Sequence, residues 1–259
     1  MTEQSLTYAR PADELVSFVA PASLEADQYR SLRHLVERLH RDSGFQVFAV
    51  TSPGSSDGKT VTTLNVAGSL AQSRDARVAI IDADLHRPTV ARYLGIEPTA
   101  APGLVDLLSD ETRRLEDATR RFEALNVSVI LTGHYEAGAY ELLNSPRLDS
   151  LIQEARQRFD YIFIDTPPLT PLPDCRLLGR GVDGFFLVVA AHRTPRRALG
   201  EALDLIDRTK LIGMVFNGDD QPLRRYSAYY AYSEPAGVAA RHNGRTALWR
   251  KAFKDPGRR

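Results

Sequence analysis

Three short stretches hold the residue types that phosphate and metal chemistry require. TSPGSSDGKT, Thr51 to Thr60, ends in Gly58-Lys59-Thr60 where a helical pattern begins. A glycine-rich turn running into a helix offers successive backbone N–H groups to an anion. The lysine and the hydroxyl extend that cradle toward terminal phosphates and a divalent ion. VAIIDADLHRP, Val78 to Pro88, closes an apolar run with Asp82 and Asp84 at alternate positions, which an extended backbone directs the same way. FDYIFIDTPP closes another apolar run with Asp165. Taken singly, these are a surface loop, a pair of turn-capping acids and an Asp at a strand end. Together, one lysine, one hydroxyl and three strand-end acids suit a magnesium nucleotide. Mg²⁺ takes oxygen ligands at roughly 2.0–2.1 Å and usually keeps waters beside one or two carboxylates, which leaves one acid for proton transfer.

Such residues work only if a frame brings them to one place. After Gly44 short apolar runs alternate with helical patterns: QVFAV, a helix from Lys59, RVAIID, segments near Pro88 and Gly103, and NVSVIL. A helix over Arg147 to Arg158 follows, then YIFID, FFLVVAA, a helix from Pro195 to Thr209, and LIGMVF. This alternation predicts an α/β fold, a doubly wound and mostly parallel six-stranded sheet covered on both faces. In such sheets ligands sit at the carboxyl ends of the strands, where Lys59, Asp82, Asp84 and Asp165 all fall. Leu32, Leu35, Val36 and Leu39 recur at helical spacing and predict an amphipathic helix between Ser23 and Arg41. Residues 1–20, polar and bearing Pro11, read as a flexible arm; 21–217 as one three-layer α/β/α domain; 218–259 as a tail.

Composition narrows the function classes. The chain has 259 residues, with Lys plus Arg and Asp plus Glu both 33, so no net charge pulls it toward nucleic acid. One cysteine, Cys175, excludes an internal disulfide and the multi-cysteine zinc patterns. The N-terminus lacks the apolar stretch of a secretory signal, and Phe185 to Ala191 is far shorter than the roughly 20 residues that span a bilayer. A cytosolic chain is expected, held at a membrane only through something else.

The tail concentrates Tyr226, Tyr229, Tyr230 and Tyr232 within RRYSAYYAYSEP, with no Leu, Ile or Val from Arg224 to Gly237. Core segments repeat aliphatic residues at helical or strand period, so these rings are expected to be exposed. Beyond them, Leu248, Trp249 and Phe253 lie among basic residues; disorder is expected there, with contact to an anionic membrane or a partner's acidic surface as the alternative.

The motifs TSPGSSDGKT, IIDADLHRP and FDYIFIDTPP resemble the P-loop, second aspartate motif and Walker B of the bacterial tyrosine kinases of capsule and exopolysaccharide export. The likeness runs on through PGLVDLL, ELLNSPR, PDCRLLGRGVDGFFLVV and GMVFN. The resemblance implies a P-loop NTPase fold, ATP and Mg²⁺, and autophosphorylation of the tyrosine cluster between subunits of a ring. It also implies a membrane-anchored chain-length protein as activator. Phosphate-binding positions would be Ser56, Asp57, Gly58, Lys59, Thr60 and the residue at position 61. Lys59, Asp82 and Asp84 would be catalytic, with Thr60 and Asp165 on magnesium. Asp27, Arg30 and Arg33 nearly match the family's oligomerisation motif, Asp standing for Glu. His86 replaces an arginine, and Ser55, Ser56 and Asp57 replace Pro, Gly and Glu. Two other readings share the fold: a ParA- or MinD-like positioning ATPase, whose extra P-loop lysine would fall at Gly54, and a nucleotide-binding regulator without kinase activity.

Overall fold

The apolar runs become strands whose side chains alternate between two cores. In β1 (Val47–Thr51), Val47 and Ala49 join one cluster while Phe48 and Val50 join the other. β2 (Val78–Asp82) and β5 (Tyr161–Asp165) divide the same way, as does β6 (Gly184–Ala190). A strand buried on both faces needs helices on both sides. In this computed structural model, residues 10–97, 101–134, 138–170 and 180–219 are described, except for the side chains of Ala124, Ala139 and Tyr140. The chain divides into two units, Met1–Gly218 and Asp219–Arg259. Tyr226 to Tyr232, Cys175 and the basic end lie outside the described residues.

One face carries α1 (Val16–Val19), α2 (Leu24–Ser43), α3 (Lys59–Ala71) and α4 (Val90–Leu94). The other carries α5 (Leu104–Ser109), α6 (Leu115–Ala118), α7 (Ala139–Leu142), α8 (Pro146–Arg158) and α9 (Arg196–Leu205). Between them lies a seven-stranded sheet in the order β3-β4-β2-β5-β1-β6-β7, with β3 at Arg120–Phe122, β4 at Val127–Ile130 and β7 at Leu211–Asn217. The six expected strands are all present and mutually parallel where they pair. The seventh, β3 (Arg120–Phe122), runs antiparallel along β4. Its three residues bury only Phe122 fully, too little pattern for a sequence reading to register.

Residues 12–20 are not a free arm. Ala12 donates its N–H to the Tyr93 carbonyl at 2.8 Å, Leu15 is fully buried, and Asn65 of α3 brackets the segment from both sides. Its Oδ1 accepts from Ser17 N–H at 2.8 Å and its Nδ2 donates to the Glu14 carbonyl at 3.0 Å. A Cβ on Gly68 would stand 2.5 Å from the Phe18 ring, so this helical glycine makes the seat for that phenylalanine. The docking groups belong to α3, fifty residues downstream, and leave no periodicity in the segment itself.

α2 is capped by Ser23, whose Oγ accepts from Ala26 N–H, and by left-handed Gly44. The residues expected as an oligomerisation motif contact their own chain. Arg30 pairs with Asp27 and donates to the Pro21 carbonyl at 2.6 Å. Arg33 binds Glu37 at 2.7 Å and the Ser69 carbonyl at 2.8 Å.

Candidate functional site

β1 ends at Thr51 and α3 starts at Lys59, so residues 52–58 must turn the chain over the top of the sheet. Gly58 makes the last step with φ 96° and leaves α3 without a side-chain cap. The first N–H groups of a 13-residue helix are therefore open to an anion. Ser56 adopts φ 67°, a left-handed conformation that side chains disfavour. The Asp57 carboxylate, which would repel a phosphate, is turned away: Oδ2 accepts from Gly54 N–H at 2.9 Å and Oδ1 from the Thr194 hydroxyl at 2.9 Å. Only its backbone N–H is left for an anion. Position 61 is Val61 within α3, which likewise offers nothing but backbone.

Lys59 and Thr60, on the first turn of α3, are both buried and point at the strand-end acids. Lys59 Nζ donates to Asp84 Oδ2 at 2.7 Å and lies 4.0 Å from Asp165 Oδ2. Thr60 Oγ1 donates to Asp165 Oδ2 at 2.6 Å and is 3.0 Å from Thr89 Oγ1. Strand order brings the acids together, because β2 pairs with β5 and Asp82 stands opposite Asp165 in register. Asp82 and Asp84 do not face one partner, as alternation alone suggested. Asp82 accepts from Val90 N–H at 3.2 Å and Asp84 N–H at 3.3 Å, while Asp84 faces Lys59. The strand stops at Asp82, and beyond it the backbone curls around that carboxylate.

The electrostatics are those of a crowded, dry anionic site. Burial, reinforced by the charge of Asp165, holds the Asp82 carboxyl well above the usual range. Burial also lifts Asp165 to about 6, against the pull of Lys59 and the Thr60 hydroxyl. For Lys59 burial acts downward, but Asp165 and Asp84 outweigh it and the ammonium is held above its ordinary value. Asp165 Oδ1 is buried with no hydrogen-bond partner.

Among the described residues, no three His, Cys, Asp or Glu side chains surround one point as a metal set does. His34 contacts Glu37, His40 the Phe45 carbonyl and His134 Asp106; His86 is exposed. Thr89, Thr194, Arg193 and Asn217 join the P-loop surroundings without having been singled out by sequence. Thr194 follows the carboxyl end of β6 and Asn217 is the last residue of β7, so the strand-end rule that found Asp165 would have reached them.

The profile of the CobQ/CobB/MinD/ParA nucleotide binding domain matches residues 48–231. The chain is 30% identical over 226 residues to the tyrosine-protein kinase YwqD of Bacillus subtilis, spanning 86% of this chain and 93% of that one. It is 29% identical over 221 residues to the succinoglycan biosynthesis transport protein ExoP of Rhizobium meliloti, covering 81% of this chain but only 27% of that longer protein. The solved BceF tyrosine kinase domain aligns with a TM-score of 0.70 at 30% identity, over 82% of this chain and 92% of that one. The chain belongs to the CobQ/CobB/MinD/ParA nucleotide-binding family, in its bacterial tyrosine-kinase branch. Among the described residues no helix is long and apolar enough to cross a membrane.

Proposed function

We propose that the protein is an ATP-dependent protein-tyrosine kinase that phosphorylates Tyr226, Tyr229, Tyr230 and Tyr232 of a neighbouring copy. By doing so it regulates exopolysaccharide polymerisation and export, at the inner face of the cell membrane and beside a membrane-anchored chain-length protein that activates it. The observation that carries this reading is the convergence of Lys59, Thr60, Asp82, Asp84 and Asp165 at the mouth of an uncapped helix.

A magnesium ion fits the donor set. The buried Asp165 Oδ1 lacks a partner, and the Thr60 hydroxyl is bonded to the other oxygen of the same carboxylate. One or two carboxylates with a hydroxyl leave room for phosphate and water oxygens. Bound Mg-ATP would supply the γ-phosphoryl group to the tyrosine oxygen and leave as Mg-ADP, its magnesium offsetting charge on the phosphate oxygens. Lys59, held by Asp84, would exchange that carboxylate for phosphate oxygens, which would release Asp84. The backbone N–H groups of residues 56–61 and the start of α3 hold the phosphates. A free tyrosine has a pKa of about 10, so its proton must pass to a carboxylate during attack. Asp82, whose proton affinity burial has raised, and the freed Asp84 are the acids suited to take it.

The test is to incubate the full chain with Mg-ATP, with and without the cytoplasmic piece of its membrane partner, and map phosphotyrosine by mass spectrometry. Phosphate within residues 226–232, reduced at least ~100-fold in Lys59→Met, is the expected result. ATP hydrolysis without phosphotyrosine under both conditions refutes kinase activity and leaves a nucleotide switch, the MinD-like alternative that Gly54 already disfavours.

A further inference from the structure

The acids of β2 and β5 grip Lys59 and Thr60 at one end of the P-loop. A second set of contacts grips Ser56 and Asp57, just before that end, from the opposite half of the sheet. Asp57 is buried, and each of its carboxylate oxygens accepts one hydrogen bond, from Gly54 N–H and from the Thr194 hydroxyl, both at 2.9 Å. Thr194 follows β6, and its Oγ1 is itself fixed by Ala190 N–H at 2.9 Å. The adjoining Arg193 donates from Nη2 to the Ser56 carbonyl at 2.6 Å. Asn217, the last residue of β7, donates from Nδ2 to the Asp57 carbonyl at 3.0 Å. Its amide occupies the notch at Gly58, where a Cβ would fall 1.8 Å from that nitrogen.

We infer that Thr194 is a positioning residue for nucleotide binding, acting through Asp57. Two features separate this from ordinary loop packing. Ser56 is held in a left-handed conformation, so the loop needs outside contacts to keep its shape. Asp57 is an acid inside an anion cradle, and its hydrogen bonds to Thr194 and Gly54 keep the carboxylate facing outward. Without the Thr194 hydroxyl, Oδ1 loses its donor and the carboxylate turns back toward the phosphate position. The inference rests on the nucleotide-binding reading of the P-loop.

The experiment titrates the full chain with a fluorescent ADP analogue in magnesium buffer, using wild type, Thr194→Val, Thr194→Ser, Asp57→Asn and the Asp57→Asn/Thr194→Val double variant. Thr194→Val is isosteric and is expected to weaken binding about tenfold, the scale of a lost hydrogen bond to a charged group. Thr194→Ser restores it, and in the Asp57→Asn background the valine costs less than about twofold. A wild type that binds while Thr194→Val binds equally well overturns the positioning role of Thr194 alone, as does an undiminished valine effect in the Asp57→Asn background. A wild type that does not bind the analogue overturns the nucleotide reading and the role of Thr194 with it.

Discussion

Asp160 and Asp183 at one end of the sheet and Asp82 and Asp165 at the other are pushed in opposite directions by their surroundings. At the amino ends of the strands, Asp183 accepts from Gln46 and Val47 N–H at 2.8 Å each and from both terminal nitrogens of Arg156 at 2.7 and 2.9 Å. Asp160 is held by the backbone N–H and guanidinium of Arg77. Burial acts to raise Asp183, but Arg156 and the two N–H groups outweigh it; Arg77 dominates at Asp160, and both carboxyls fall below the usual range. At the carboxyl ends, Asp82 and Asp165 rise because burial is only partly answered and one oxygen of Asp165 is unpartnered. Fully satisfied acids hold a fold together. Acids left short of donors on a shared, lysine-lined site are costly to the fold and mark where a ligand must complete the set.

That contrast can be broken most severely at its structural end. Asp183→Ala leaves the Arg156 guanidinium and two strand-start N–H groups without their acceptor, and a loss of about 3 kcal/mol in urea unfolding is expected. A loss below about 1 kcal/mol would mean that Asp183 does not hold the ends of β1 and β6 together.

The reverse sign is expected at the other end. Asp165→Asn removes a buried charge held at a cost. It should stabilise the metal-free protein at pH 7 on the order of 2 kcal/mol while abolishing the effect of magnesium on nucleotide affinity. The pH dependence separates the two ends further. The raised Asp165 favours the fold below its unfolded value near 4 and loses that advantage as pH climbs to about 6. Asp183 and Asp160, being depressed, contribute above the unfolded value and lose their contribution as pH falls through their lower folded values. The stability gap between wild type and Asp165→Asn should therefore open between pH 4 and 6 and stay level above 7. A gap independent of pH would show that the amide acts through packing rather than charge.

The smallest effect is expected at Arg77→Ala. The arginine is largely exposed, and exposed pairs contribute under about 1 kcal/mol. A loss as large as that of Asp183→Ala would erase the distinction between the two amino-end acids.

Much of this site was legible before any fold was known. Each of Lys59, Asp82 and Asp165 ends or follows an apolar run that is itself a strand, and strand ends are read from local pattern. The direction of Asp57 was not legible. An acid in a phosphate loop looks like a ligand contact until Thr194, 137 residues away, is seen to hold it outward. Nor did residues 12–20 carry a pattern of their own, since Asn65 and Gly68 of α3 supply their seat.

The sequence by itself determined the six parallel strands, the helix that follows the glycine turn, and the kinds of group that cap the sheet, because hydrophobic alternation and turn chemistry act between near neighbours; the short β3 left no such pattern. Only the tertiary structure decided which groups meet. Strand order puts Asp82 opposite Asp165 and gives Thr60 a partner 105 residues away. The same order leaves Asp84, not Asp82, to hold Lys59. Pairing across a sheet depends on which strands lie side by side, and local pattern carries no record of it.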